Sequence, residues 1–240
     1  MKIIKYLSFA VFSLLLANSA WSYALITSGG NPVKWGSSTV GTGANVSWSL
    51  MLDDTCLDGG SCSSLIPSMP AGFIEEIDRA FDTWAAVADL TFTQSTETDV
   101  GPFISGKGNI RLGAKAIDGN YNVLAHAVGS AYVMSPVWYA TEVHFDSAEN
   151  WTIGSAGVDI YSIALHEIGH TLGLHHSNVN GSVMKAAFNP SSSFSGLSDD
   201  DIAGIQYLYG ANPSPVPLPP SAVFFASGLL LLLKRKIRCN

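Results

Sequence analysis

The residues best suited to chemistry lie between positions 166 and 176, which read HEIGHTLGLHH. His166 and His170 stand four apart, so on a helix they share one face a turn apart. Two imidazoles so placed can grip one Zn²⁺. Glu167 follows the first ligand and can reach a water on the metal. The spacing assigns a third imidazole to His176, ten residues after His166, and leaves its neighbour His175 off register as an exposed loop residue. Gly173 lies where the helix must end and the chain turn, and glycine takes the positive φ such turns need without steric cost. Three neutral imidazoles leave one position of a tetrahedral zinc open, which marks a catalytic rather than a structural site. The competing reading is a surface helix with incidental histidines. Five fixed residue types at fixed spacing argue against it.

These side chains need a helix beginning near Asp159, whose carboxylate can cap the first amides, with Ile160, Ile163, Ala164 and Ile168 turned inward. Upstream, Phe73, Ile74, Ile77, Ala80, Phe81, Trp84 and Val87 recur at helical spacing within residues 70–90. Strands are expected at 45–51, with Val46, Trp48 and Leu50 on one face, at 90–93 and at 109–112. A turn and strand follow within 118–127, and another strand at 141–145 leads to Asp146 and Glu149. Beyond His176 come a turn at 177–182, then Val183-Met184, then a last helix over 198–209 with Ser198 as cap and Asp199 to Asp201 in its first turn. Residues 24–43, rich in Gly, Ser and Thr, read as a lead-in arm. The order predicts an α+β domain, a small twisted mixed sheet with three helices and an active-site cleft.

The 240 residues allow one domain with a sizeable core. Residues 1–22 carry a basic start, an apolar run and a small-x-small cleavage site, the pattern of a secretory signal peptide. The catalytic domain is assigned to 23–211, a proline-rich linker to 212–220, and an apolar segment with a basic tail to 221–240. Six of the twelve basic residues lie in the two terminal segments, whereas all nineteen acids lie in the domain, which therefore carries a net charge of −13. That field disfavours nucleic acid and anionic headgroups and favours cations such as Ca²⁺. Cys56 and Cys62 flank a turn-rich loop and are expected to form a disulfide in an oxidising compartment; Cys239 lies in the tail.

HExxHxxGxxH is the metzincin zinc-protease signature, and within that group the chain resembles a matrixin. The resemblance rests also on Met184 at the position of the Met-turn, on LAHA at 124–127, on HFD at 144–146 with Glu149 and Trp151, and on DDIAGIQYLYG at 200–210. It implies a secreted zinc metalloendopeptidase. His166, His170 and His176 would hold the catalytic zinc. Glu167 would be the general base acting on a zinc-bound water, and Met184 an apolar floor beneath the metal. Asp118, Asp146 and Glu149 match calcium-ligand positions. His126 and His144 match two of the four ligands of a second, structural zinc. The other two positions fall on Arg111 and Gly113, which cannot ligate, so two readings stay open: a site with other partners, or two packed histidines. After the Met-turn the family continues Tyr-Pro where this chain has Lys185-Ala186, so the specificity pocket is not transferable.

The proline motif, apolar stretch and basic tail together resemble a PEP-CTERM sorting segment. That implies a Gram-negative bacterium, exosortase-type processing and a surface or secreted domain, with the tail transiently or permanently in the inner membrane. The short stretch before the first strand leads us to expect no thiolate-based latency. The expected partner is a protein or peptide substrate, and the chain is expected to be a monomer. Two alternatives differ in class: a catalytically silent binding module for a surface or exopolysaccharide, and a zinc amidase acting on cell-wall peptides.

Overall fold

A computed structural model describes residues 23–98, 107–131, 136–154, 157–187 and 194–213. The signal peptide, nearly all of the linker and the tail segment lie outside them. Among the described residues no helix is long and apolar enough to cross a membrane.

In chain order the main elements are β1 (Ala44–Leu50), α1 (Phe73–Ala85), β2 (Leu90–Thr96), β3 (Ile110–Lys115), β4 (Ala125–Ala131), β5 (Trp138–Asp146), α2 (Ile160–Thr171) and α3 (Asp199–Tyr209). The five strands form one mixed sheet in the order β2-β1-β3-β5-β4. The first four run parallel, and β4 closes one edge antiparallel to β5. The α+β expectation holds.

The first helix is shorter than its apolar pattern. Gly72 at φ 90° cannot continue a right-handed helix, so α1 starts at Phe73 rather than at Pro70. It buries Phe73, Ile77, Ala80, Phe81 and Trp84 on a single face. Strand β2 is longer than its apolar pattern and runs to Thr96, because seven backbone pairings with β1 hold it whatever its side chains are.

The core lies between the sheet and the helices α1 and α2. Trp48 of β1 stacks on Phe81 with ring centroids 5.1 Å apart. Trp84 Nε1 donates to Leu165 O at 3.0 Å, satisfying the buried indole and tying α1 to α2. Helix α2 is buried on nearly every side, so its apolar pattern is continuous rather than striped. Asp159 caps it as expected, accepting from Ser162 N at 3.0 Å.

The opposite face of the sheet is covered by the loop that follows β1. Cys56 and Cys62 are disulfide-bonded there; beside the short ribbon Asp54–Thr55 with Ser61–Cys62, Ser63 pairs with Ala114 of β3 and Leu57 N donates to Glu142 of β5.

The N-terminal arm is more than a lead-in. Ala24–Leu25 pairs antiparallel with Leu174–His175, the residues just before the third histidine of the motif. Trp35 is buried, and its Nε1 donates to Thr171 O at 2.9 Å. Tyr209 of α3 donates to Leu172 O at 2.8 Å and accepts from Trp35 N at 3.1 Å. Arm and last helix together clamp the C-terminal end of α2.

Candidate active site

Helix α2 presents His166 and His170 one turn apart. Their Nδ1 atoms lie 2.6 Å from Val183 O and 2.8 Å from Leu174 O. A carbonyl can only accept, so both Nδ1 atoms carry the proton and both Nε2 atoms are left with lone pairs. Those two Nε2 atoms face each other at 3.2 Å. Two lone pairs at that distance repel unless a cation lies between them, and the spacing is close to the ~3.3 Å expected between nitrogens on a tetrahedral zinc.

The third imidazole arrives through the turn at Gly173, which has φ +106°; a Cβ there would lie 2.2 Å from Val33 O. Glycine thus serves both the turn and the close passage of the arm. Beyond it His176 brings its ring centroid to 4.7 Å from that of His170 and 5.4 Å from that of His166. One ring nitrogen from each of the three lies within 4.8 Å of the others. His175 is exposed and stays outside this group, as its register implied.

Burial lowers the pKa of all three histidines. His170 falls to about 3 through burial and then the neighbouring His166. All are therefore neutral ligands at pH 7. The donor set fits zinc.

Glu167 is buried on the same helix, and its Oε2 has no hydrogen-bond partner among the described residues. Burial pushes its carboxyl up to about 8, opposed by a backbone hydrogen bond from Ala127. A cation held by the three imidazoles would favour the ionised form and bring it down.

Met184 is 2 % exposed and packs against α2. Gly169 of α2 makes room for it, since a Cβ there would lie 2.3 Å from Met184 Sδ and 3.0 Å from Trp84 Cζ2. Gly169→Ala gains helix propensity of about 1 kcal/mol but overpacks a closed contact at a cost of ~1–3 kcal/mol. The expected result is a net loss of stability, read as a lower urea midpoint at unchanged m.

The turn between His176 and Met184 is held by acids that the sequence offers as helix-start residues and as part of the segment 200–210. Asp201 of α3 accepts from Ser182 Oγ at 2.6 Å, Val183 N at 2.9 Å and Met184 N at 3.3 Å. It also completes a capping box with Ser198. Asp200 accepts from Ser177 Oγ at 2.7 Å. The spacing from Ser198 to Asp201 announces the cap; nothing in it announces the second duty.

The calcium-type residues come together around the loop 118–123. Asp146 accepts from Asp118 N and Gly119 N at 3.1 Å and from Ala148 N at 2.9 Å. Burial works against its charge, but these amides outweigh it and hold the carboxyl below the usual range. Glu149 accepts from Tyr121 N at 2.5 Å, while its buried Oε2 has no partner among the described residues. Asp118, Asp146 and Glu149 do not converge as the histidines do. Yet the orphaned oxygen of Glu149 and the carboxylate of Asp118, which accepts from Val123 N at 3.3 Å, are oxygen donors of the kind a hard cation takes.

His126 and His144 are cross-strand partners on β4 and β5, with His144 Nδ1 3.0 Å from His126 Nε2. Arg111 and Gly113 do not ligate. Arg111 is buried in an ion cluster, 2.7 Å from Glu97, 2.6 Å from Glu142 and 2.7 Å from Asp54. Gly113 is covered by Met51, whose Sδ would lie 2.6 Å from a Cβ there.

A cleft of about 520 Å³ opens over the three histidines and Glu167, with Leu124, Ile163, Ala186 and Ala187 among its walls. The mixed sheet with one antiparallel edge strand, the two-histidine helix, the glycine turn to a third histidine and the buried methionine packed on that helix define the metzincin class of zinc-peptidase domain. The matrixin family model matches residues 68–210, and the chain belongs to the matrixin family. Matrixins are zinc metalloendopeptidases that also bind calcium.

Among its relatives are stromelysin-2 of Rattus norvegicus, 40 % identical over 149 residues, covering 60 % of this chain and 30 % of that protein. Metalloendoproteinase 2-MMP of Arabidopsis thaliana is 37 % identical over 150 residues, covering 57 % and 36 %. Interstitial collagenase of Equus caballus is 35 % identical over 159 residues, covering 64 % and 32 %. The chain spans about a third of the length of these curated relatives.

Proposed function

We propose that this protein is a zinc-dependent endopeptidase that cuts internal bonds of extended protein or peptide substrates, with His166, His170 and His176 as zinc ligands. The observation that carries the reading is the orphaned, buried Oε2 of Glu167 beside three neutral imidazoles whose lone pairs converge. Zinc held by these imidazoles supplies Lewis acidity, polarising the scissile carbonyl and acidifying the attacking water.

Glu167 takes the proton from that water as the C–O bond forms, then delivers it to the departing amine nitrogen as the C–N bond breaks. Strand β4 lies at the edge of the sheet and borders the cleft through Ala125, His126 and Ala127. Its free side offers backbone groups to an extended substrate, as an added strand requires. Ala186 and Ala187 are small, so the wall they form leaves room for a sizeable side chain of the substrate.

Asp118 and Glu149 serve as calcium ligands, with Asp146 anchoring the loop that presents them. The Cys56–Cys62 disulfide favours an oxidising compartment outside the inner membrane. That agrees with secretion by residues 1–22 and with retention or exosortase-type trimming through 212–240.

The test is zinc content and cleavage of a quenched peptide library by the purified protein, with and without a chelator. One tightly held catalytic zinc and cleavage abolished by the chelator are expected. Zinc without peptide cleavage would move the reading to a binding module or, if cell-wall fragments are cut, to an amidase.

A further inference from the structure

Among the described residues other than glycine, Tyr121 alone has a positive φ, at 74°. That conformation crowds the Cβ of an L-residue, whereas glycine takes it freely. The side chain is 67 % exposed, so burial returns little of the cost. Folding stability by itself therefore favours glycine at this position. A backbone held in a costly conformation that presents an exposed aromatic ring points to a contact made with something else.

The loop that carries the ring is braced. Tyr121 N donates to Glu149 Oε1, Val123 N donates to Asp118 Oδ1, and Asp146 Oδ2 accepts from the amides of Asp118 and Gly119. The ring is thus offered from a fixed base and has little freedom to lose on contact. The same loop runs straight into the cleft. Asn122, Val123 and Leu124 line its wall, and β4 begins at Ala125. Val123, 43 % exposed, adds a second open apolar side chain to the loop. Further along, the backbone of Ala127 donates to Glu167, which places the cut near that end of the wall. Tyr121 lies six residues before Ala127, at most about 20 Å along the chain.

We infer that Tyr121 is a specificity residue, which grips an apolar or aromatic side chain of the substrate three to five residues from the cut, on the flank that passes the start of β4. The inference rests on the endopeptidase reading and deepens it. A substrate laid along β4 advances about 3.3 Å per residue, so these positions pass ~10–17 Å from the cut and come within reach of the loop. The contact adds binding energy away from the reacting atoms. It selects extended chains long enough to reach the loop, with an apolar residue at that distance, over short peptides.

The experiment uses the full chain in zinc and calcium, with decapeptides cut at their centre. Phe is placed at the third, fourth or fifth position of one flank or the other, against a parent with Gly at all of them. The native protein is expected to favour the best Phe peptide of one flank by about tenfold in kcat/KM, the scale of one partly buried aromatic side chain. In Tyr121→Gly that preference should fall below about twofold, while the melting temperature holds or rises because the strain is relieved. Tyr121→Phe should keep the preference. Each preference is a ratio within one protein, so a general effect on folding or metal content cancels. Binding of the same peptides is read by fluorescence anisotropy. If the native protein binds but cuts none of them, the endopeptidase reading falls, and the same ratio taken from Kd decides the role of Tyr121. A Phe preference that survives Tyr121→Gly, one that is equal on both flanks, or none in the native protein would overturn the inference. If Tyr121→Gly fails to fold, Tyr121→Asn, which also accepts the left-handed conformation, takes its place.

Discussion

Glu167→Gln is expected to retain its catalytic zinc and lose about 10²–10⁴-fold in kcat/KM, the usual scale of general acid–base catalysis. The amide is nearly isosteric and cannot take a proton at neutral pH. Glu167 is not one of the three convergent histidines, so metal content should not fall. Its Oε2 has no partner among the described residues, so the substitution breaks no hydrogen bond at that atom, and the melting temperature should hold or rise. Zinc content, thermal melting and cleavage kinetics on one preparation separate the possibilities. Activity near that of the native protein would refute the proton-transfer role, whereas loss of zinc would make Glu167 a structural residue of the site.

Asp201→Ala is expected to cost the most stability of any single change near the site. Its carboxylate is 1 % exposed and accepts from Ser182 Oγ, Val183 N, Met184 N and the Ser198 cap. Alanine leaves several buried donors without an acceptor, each worth about 1–3 kcal/mol. A total of at least ~3 kcal/mol corresponds to a fall of roughly 6–12 °C in Tm for a domain of this size. Val183 O is also the acceptor that orients His166, so the loss should reach the metal site as weaker zinc retention. Asp201→Asn keeps one carbonyl oxygen and should recover part of the stability. Unchanged melting and zinc affinity in the alanine variant would mean that α3 does not hold the Met-turn.

Residues 166–176 by themselves determined the grouping of three histidines with Glu167, because the spacing of side chains along one helix and a glycine stop is a local property of the backbone. The same holds for the Asp159 and Ser198 caps, for the apolar face of α1 and for the Cys56–Cys62 pair, whose partners are near in sequence. What escaped the sequence depends on chain returning from afar. The stretch 24–43 reads as a lead-in arm, yet its backbone at Ala24–Leu25 pairs with Leu174–His175 some 150 residues later. Asp201 reads from sequence as a first-turn helix residue and Glu142 as one position of a strand, and only packing placed one against the Met-turn and the other behind His144. Asp58 carries no motif at all; it meets His126 and His144 because the disulfide loop folds over the outer face of the sheet. Local spacing decides which side chains a helix can present together, but a buried charge gains its meaning from whichever distant donor shares its low-dielectric pocket, and only the tertiary structure decides that.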